Sequence, residues 1–324
     1  MADRARQWLI PGSEREEIAR WFASRARAVD RCEAPAQQGL AMLAGRGWLS
    51  RGVPRALGGD GGCLVEMAEV IATVASTCLT SAFVLWCHRM FLEYVSASGN
   101  PFLLAEFLPQ ALRVERLGAT GLANAMKHVA SLEELRVTAE RRDGMYVLSG
   151  RLPWVSNLVG DGFVAAVAAR SGRSILLLAV PGDAPGVVAG TRLPLFGLEG
   201  TASASLTLDE VKLGDQWVIS ADGGAFLARI RPAFLVLQAA LAWGLAEGAL
   251  ASLGDKITGP RLILRREAQQ LDRELDGLVA ELRALAGEAG QDRAGALGQG
   301  ASGPGAGTGS LMHRALKVRK ELAE

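Results

Sequence analysis

The hydrophobic pattern of the chain changes near Gly118 and again near Gly214, and no other sequence feature constrains the fold as strongly. Apolar residues recur at helical spacing before the first change and after the second. Residues 118–213 instead contain short β-prone runs separated by turn sequences such as Asp143-Gly144. The pattern predicts an α+β fold with three domains: an N-terminal helical domain (1–115), a small antiparallel β-domain (116–213) and a C-terminal helical bundle (214–324).

The helical regions carry several local signals. Ser13-Glu-Arg-Glu16 is a capping-box pattern and predicts a helix that opens there and runs to about Asp30. Leu227–Leu253 predicts one long apolar helix. Residues 287–310 are rich in Gly, Ala and Ser, which is typical of a flexible linker.

The segment 144–157 carries the strongest hint of function. Trp154 and Ser156 are two residues apart, so a continuing strand would present both side chains on one face. A flat indole beside a hydroxyl donor suits a planar ring system with polar edges. The alternative is that Trp154 is a core aromatic residue of the β-layer.

Three stretches, taken together and in order, resemble the acyl-CoA dehydrogenase flavoproteins. Gly150…Trp154-Val-Ser-Asn157 is similar to the family's G-x-K-x-W-I-T-N segment. Val53-Pro-Arg-Ala-Leu-Gly-Gly-Asp-Gly-Gly62 is similar to its V-P-E-E-Y-G-G-x-G loop, and Gly197–Leu213 is similar to a later strand pair. The resemblance extends over residues 10–285, approximately.

This resemblance implies a cofactor and a reaction. In the family, FAD lies between the β-domain and the C-terminal helices, a Glu removes the α-proton of an acyl-CoA, and the β-hydride passes to the flavin. The resemblance places Trp154 and Ser156 beside the flavin ring. By position in the family's first β-segment, Asn124 would offer its amide to the pyrimidine edge, and Ser131 would match a motif serine. It also implies a homodimer or homotetramer.

The chain departs from the family at the catalytic base. In most members the Glu lies in the last part of the C-terminal domain, and we expect this chain to stop short of it. In other members it lies near the start of the first C-terminal helix, where this sequence has Phe234. Glu247 lies about three and a half helical turns further along.

Three interpretations follow. The first is an FAD-dependent oxidoreductase that oxidises the CH–CH bond of an acyl thioester. The second is a flavin-dependent monooxygenase of the same fold, acting on an acyl or aromatic small molecule, for which His88 is a candidate catalytic residue. The alternative for His88 is a satisfied histidine in the core of an apolar helix. The third interpretation is a non-catalytic relative that acts by protein interaction.

Composition argues against other classes of function. A net charge of +1 gives no electrostatic signature for nucleic acid or an anionic membrane. The four cysteines include no C-x-x-C pair, so neither a metal site nor a disulfide framework is expected. The N-terminus begins without an apolar signal core, and uninterrupted apolar runs of membrane-spanning length are absent from the sequence. We therefore expect a cytoplasmic protein.

Overall fold

The computed structural model describes residues 8–254, 256–298 and 308–323. Its N-terminal region is helical, as predicted. The helices there are α1 (Gly12–Ala23), α2 (Ala26–Asp30), α3 (Gln37–Gly45), α4 (Leu64–Ala75), α5 (Leu79–Ser98) and α6 (Leu108–Leu112). The predicted capping box at Ser13 is wrong, because α1 begins after Pro11, which makes no side-chain cap. A reciprocal cap occurs instead at α4, where the Cys63 N–H donates to Glu66 Oε2 at 2.8 Å.

A mixed β-sheet occupies the middle of the chain. Its strands are β1 (Leu117–Thr120), β2 (Val137–Arg142), β3 (Met145–Val155), β4 (Phe163–Ser171), β5 (Ser174–Pro181), β6 (Val187–Arg192), β7 (Ala204–Leu213) and β8 (Val218–Ser220). They run in the order β6-β7-β3-β2-β4-β5-β8, with β1 paired to β4. The short helix α7 (Ala123–Val129) follows β1.

The sheet confirms most of the predicted antiparallel pairing and departs from it at β4. That strand pairs in parallel with β1, and with β2 through Thr138 and Arg170. The sheet also continues through β8 and so passes the predicted boundary at residue 213. β8 has only three residues, which is too short to give a periodic pattern in the sequence.

Strand β4 explains how the helices attach to the sheet, because both of its faces are buried. Val164 and Ala166 belong to the large core shared with the helices. The alternating residues Phe163 and Val167 belong to a second core formed by the strands. A strand buried on both faces reads as a continuous apolar run, as β4 does.

The C-terminal region packs back on the N-terminal helices. It contains α8 (Gly223–Gly254), α9 (Arg265–Gly298) and α10 (Thr308–Ala323), and α8 contacts α4, α5, α9 and α10. By length and composition alone, α8 is the one described helix that qualifies as a membrane span, although 56% of its most apolar window is buried inside this fold.

The predicted linker at 287–310 differs from the structure in its first half. Helix α9 continues through residues 287–298, and α10 begins at Thr308; residues 299–307 lie outside the described part of the chain. Ala286 and Ala289 are buried in the helical core. Alanine has the highest helix propensity, so contact with a packed neighbour is enough to extend the helix into a glycine-rich sequence.

Candidate functional site

The end of β3 exposes a large aromatic side chain. Trp154 is 53% exposed, although Leu152 and Val155 on either side of it are buried. A register shift causes this pattern: Leu152 pairs with Leu206 and Val155 with Ala204, so one extra residue bulges from β3. The bulge directs Trp154 to the surface of the sheet, whereas a regular strand would alternate in and out.

Ser156 lies just beyond β3 and is buried, in contrast to Trp154. It forms a bridge with Thr120 of β1, and its Oγ lies 2.6 Å from Ser203 Oγ. Ser203 Oγ in turn lies 2.8 Å from Thr201 Oγ1, which donates to the carbonyl oxygen of Leu198 at 2.7 Å. We call Ser156, Ser203 and Thr201 the hydroxyl row. The predicted pair therefore does not share one environment: the indole is exposed, and the hydroxyl leads inward.

Asn157 fixes the corner where these elements meet, a role that the sequence did not reveal although Asn157 belongs to the segment 144–157. It is fully buried with a φ of 68°, a backbone conformation that Asn tolerates better than most residues. Its backbone N–H donates to Thr201 O at 2.9 Å, and its amide donates to Gly118 O at 2.8 Å. The amide oxygen accepts a hydrogen bond from Gln37 at 3.1 Å. One residue thus joins α3, β1 and the segment before β7.

Left-handed backbone conformations cluster at the same corner. Leu198 and Ala202, like Asn157, are non-glycine residues with positive φ, at 63° and 49°. Such conformations cost about 1–3 kcal/mol each and persist where the surrounding structure enforces them, often at functional sites. They are held here by the hydrogen bonds of Asn157 and Leu158 to Thr201 O and Ala202 O.

His88 is a satisfied histidine in the core rather than an accessible catalytic residue. This is the second of the two alternatives that the sequence left open. Its side chain is fully buried, its Nε2 donates to Ala111 O at 3.0 Å, and its Nδ1 accepts the N–H of Gly118 at 2.9 Å. Burial lowers its pKa to about 4, so the ring is neutral. Both ring nitrogens are engaged, which leaves neither for a substrate.

Asn124 and Ser131 lie in the α7 segment rather than in a flavin-type loop. The Asn124 amide donates to Glu133 Oε1 and to Glu134 O, both at 2.9 Å, and its oxygen accepts the N–H of Arg136. Ser131 is exposed, with a φ of 58°. The Asn124 side chain therefore holds the segment 130–136 in place, and its predicted contact with a pyrimidine edge would compete with these bonds.

An aromatic cluster connects α5 and α8. The ring centroids of Phe83 and Trp86 lie 5.4 Å apart, and those of Trp86 and Phe234 lie 5.1 Å apart. Trp86 is buried, and its indole Nε1 has no hydrogen-bond partner among the described residues. An indole N–H that is buried normally finds an acceptor, so this cluster has an unused donor.

The two positions considered for a catalytic base do not supply one. Phe234 is apolar and packs in the aromatic cluster. Glu247 accepts a hydrogen bond from Trp243 Nε1 at 2.7 Å, and Trp243 stacks on Trp8 with ring centroids 4.8 Å apart. Glu247 thus belongs to the packing of the helices.

Sequence comparison identifies relatives of known activity. Residues 13–115 match the family model described as the acyl-CoA dehydrogenase N-terminal domain. A benzylmalonyl-CoA dehydrogenase of Aromatoleum aromaticum is 26% identical over 234 residues, which is 71% of this chain and 62% of that protein. The chain spans less than two thirds of the length of the curated relatives it matches.

Structural comparison shows the same fold in dehydrogenases and monooxygenases. The FMN-bound dibenzothiophene monooxygenase of Paenibacillus sp. A11-2 superposes with a TM-score of 0.80 at 20% identity, covering 96% of this chain and 83% of the other. Butyryl-CoA dehydrogenase of Megasphaera elsdenii superposes with a TM-score of 0.75 at 17% identity, covering 98% and 89%. At these identities the likeness establishes the fold alone.

Proposed function

Because the chain belongs to the acyl-CoA dehydrogenase family, we propose that it is a flavin-dependent oxidoreductase that binds FAD at the end of β3 and acts on an acyl thioester. The family is one of flavoproteins. The bound flavin would supply the redox chemistry, by accepting a hydride from the CH–CH bond of the substrate. The protein would supply binding, orientation and the exclusion of water.

The exposed indole of Trp154 is the observation that carries this proposal. A tryptophan that is 53% exposed beside a buried polar corner leaves a large apolar ring face in water. A planar ring stacked on it would cover that face and gain stacking energy. The register shift that exposes Trp154, and the left-handed residues behind it, are features that a purely structural strand end does not need. Trp154 and Ser156 are the residues that would hold the flavin ring.

A second candidate function is a flavin-dependent monooxygenase, and Phe234 favours it. A dehydrogenase needs a carboxylate to take the α-proton, worth about 10²–10⁴ in rate. At the position where some members carry that carboxylate, this chain has a phenyl ring in contact with Trp86. The aromatic cluster, with its unused indole N–H, suits an aromatic substrate that carries one polar acceptor. On this alternative no α-proton base is required.

Spectroscopy of the purified protein separates these functions. The protein is incubated with FAD and, in parallel, with FMN, and unbound flavin is removed by desalting. The protein loaded with flavin is then titrated under argon with saturated acyl-CoA thioesters. Bleaching of the flavin absorption supports the dehydrogenase. Lack of bleaching, together with oxygen consumption in the presence of reduced flavin and an aromatic substrate, supports the monooxygenase.

A protein that retains neither flavin would contradict both enzymatic functions. It would leave the third interpretation, a relative that acts through protein interaction. The Trp154→Ala variant is the control for specific binding, because non-specific flavin adsorption would survive the loss of this ring.

A further inference from the structure

The hydrogen bonds of the hydroxyl row all run in one donor-to-acceptor direction. Thr201, at the inner end of the row, sets this direction. Thr201 Oγ1 lies 2.7 Å from the carbonyl oxygen of Leu198, and a carbonyl oxygen only accepts hydrogen bonds. The single hydroxyl proton of Thr201 is therefore committed to Leu198. Thr201 Oγ1 can take part in its 2.8 Å contact with Ser203 only as an acceptor.

The same reasoning applies to the next two hydroxyls of the row, as far as its outer end at Ser156. Ser203 donates its one proton to Thr201, so its oxygen is the acceptor in the 2.6 Å contact with Ser156. Ser156 then donates to Ser203, and its own oxygen keeps free lone pairs. No other hydrogen bond of the Ser156 hydroxyl is present in the described part of the chain. The sequence predicted a donor at Ser156, whereas the row makes it an acceptor.

The row is fixed in place, so its direction is not easily reversed. Ser156, Ser203 and Thr201 are 4%, 3% and 1% exposed, which shields the row from solvent. The backbone on both sides is tied together by the N–H of Asn157, which donates to Thr201 O at 2.9 Å. Leu198, whose carbonyl sets the direction, is held in a left-handed conformation that orients this carbonyl, and the carbonyl also accepts the N–H of Thr201 at 3.0 Å.

We propose that Ser156 presents a hydrogen-bond acceptor to the flavin and that the hydroxyl row thereby makes the site bind reduced flavin more tightly than oxidised flavin. This inference rests on the proposed function. An isoalloxazine ring carries a bare acceptor nitrogen at N5 when it is oxidised and an N–H donor there when it is reduced. An acceptor fixed on the protein therefore matches the reduced ring. Ser203 and Thr201 act as positioning residues, because they act only through Ser156.

Two substitutions change the Ser156 hydroxyl from an acceptor to a donor toward the flavin and leave Ser156 itself in place. Ser203→Ala deletes the acceptor that takes the Ser156 proton, so that Ser156 becomes free to donate outward. Thr201→Val deletes the acceptor for Ser203, which then can donate to Ser156 and release the Ser156 proton in the same way. Ser205→Ala is the matched control: it removes a serine hydroxyl nearby, at the start of β7, that is also buried but lies outside the row.

The test measures the dissociation constant for oxidised FAD by fluorescence quenching and the reduction potential of the bound FAD under argon. Circular dichroism checks that each variant is folded. One net hydrogen bond corresponds to a change of about threefold to tenfold in the ratio of the two affinities. Ser203→Ala and Thr201→Val should therefore each lower the potential by about 15–30 mV relative to the wild type, and Ser205→Ala should leave it unchanged.

Each outcome decides the inference. A lower potential in both row variants, with no change in the control, supports it. FAD binding with an unchanged or raised potential in Ser203→Ala overturns the inference and leaves the proposed function intact. If the wild type binds FAD in neither redox state, the proposed function fails and the inference fails with it.

Discussion

Arg283 of α9 forms an ion pair with Glu69 of α4, with 2.7 Å between Nη2 and Oε1, and so joins the two helical regions across the fold. Glu69 is fully buried and also accepts the backbone N–H groups of Leu9 and Ile10. One carboxylate thus holds the N-terminal segment and the C-terminal helix against α4. An ion pair of this kind costs most when only one partner is removed.

Glu69→Ala is therefore expected to lower the free energy of unfolding by about 3–5 kcal/mol, since it leaves Arg283 and two N–H groups without this acceptor. Urea denaturation followed by circular dichroism measures the change. Glu288→Ala is the matched control on α9, because its pair with Arg314 is solvent-exposed and should contribute less than about 1 kcal/mol. Similar effects of the two substitutions would contradict the structural role of Glu69.

Asn157 gives a second test of the corner behind β3. Asn157→Ala loses the side-chain bonds to Gly118 O and Gln37 and places a Cβ-bearing residue without a polar side chain at a φ of 68°. We expect a loss of about 2–4 kcal/mol in unfolding free energy. Asn157→Gly loses the same bonds without the backbone strain, so it should be less destabilised by about 1 kcal/mol. Equal losses in the two variants would show that the conformation is not strained.

His88 makes stability depend on pH. Its pKa in the folded protein is lowered by burial to about 4, from an ordinary value of 6.5. Between these values the unfolded chain binds a proton that the folded chain does not, so stability is complete above pH 6.5 and falls as the pH decreases toward 4. The total effect is about 3 kcal/mol.

Urea denaturation of the wild type and of His88→Gln across this pH interval isolates the contribution of His88, because the carboxylates are common to both. The wild type should lose more stability than the variant on acidification. A His88 ring resonance that titrates near pH 6.5 in the folded protein would contradict the burial argument.

Self-association remains a prediction. The structure identifies exposed apolar side chains that favour it. The long apolar helix α8 is not the basis for it, because α4, α5, α9 and α10 pack against this helix within one chain. Exposed apolar side chains are instead found at and before the start of α9. They are Leu262 (47% exposed), Ile263 (79%), Leu264 (45%) and Leu271 (52%). Several exposed apolar side chains close together in the chain favour an interface here.

Ile263→Lys combined with Leu271→Lys is expected to convert a dimer or tetramer to a monomer, as measured by sedimentation at micromolar concentration. Leu132→Lys is the control, because Leu132 is 75% exposed and lies in the α7 segment. A wild type that sediments as a monomer, or a double variant that still associates, would contradict this prediction.

The sequence predicted those features that depend on neighbouring residues. The change from helical to β pattern near Gly118 is local, and the structure places β1 at Leu117–Thr120. Trp154 was likewise identified from a short segment, since a Trp followed by a Ser two residues later can be read directly from the sequence. Helical and strand periodicity need no knowledge of distant contacts.

The features that were missed depend on contacts distant in the chain. Ser156 and Ser203 are 47 residues apart, and neither the direction of the row nor its end at Leu198 can be read from spacing. The burial of Ser156 beside an exposed Trp154 follows from a register shift against β7, which is set by tertiary packing. For His88, the sequence left two alternatives open, and the carbonyl of Ala111 and the N–H of Gly118 decide between them.

Flavin binding at the end of β3 is the property on which the proposed function depends most directly. The decisive measurement is the dissociation constant for FAD of the wild type, of Trp154→Ala and of Tyr146→Ala, an aromatic control near the other end of β3. We expect the wild type to bind FAD, Trp154→Ala to bind about tenfold more weakly or worse, and Tyr146→Ala to bind like the wild type. A wild type that does not bind flavin, or a Trp154→Ala variant with unchanged affinity, would contradict it.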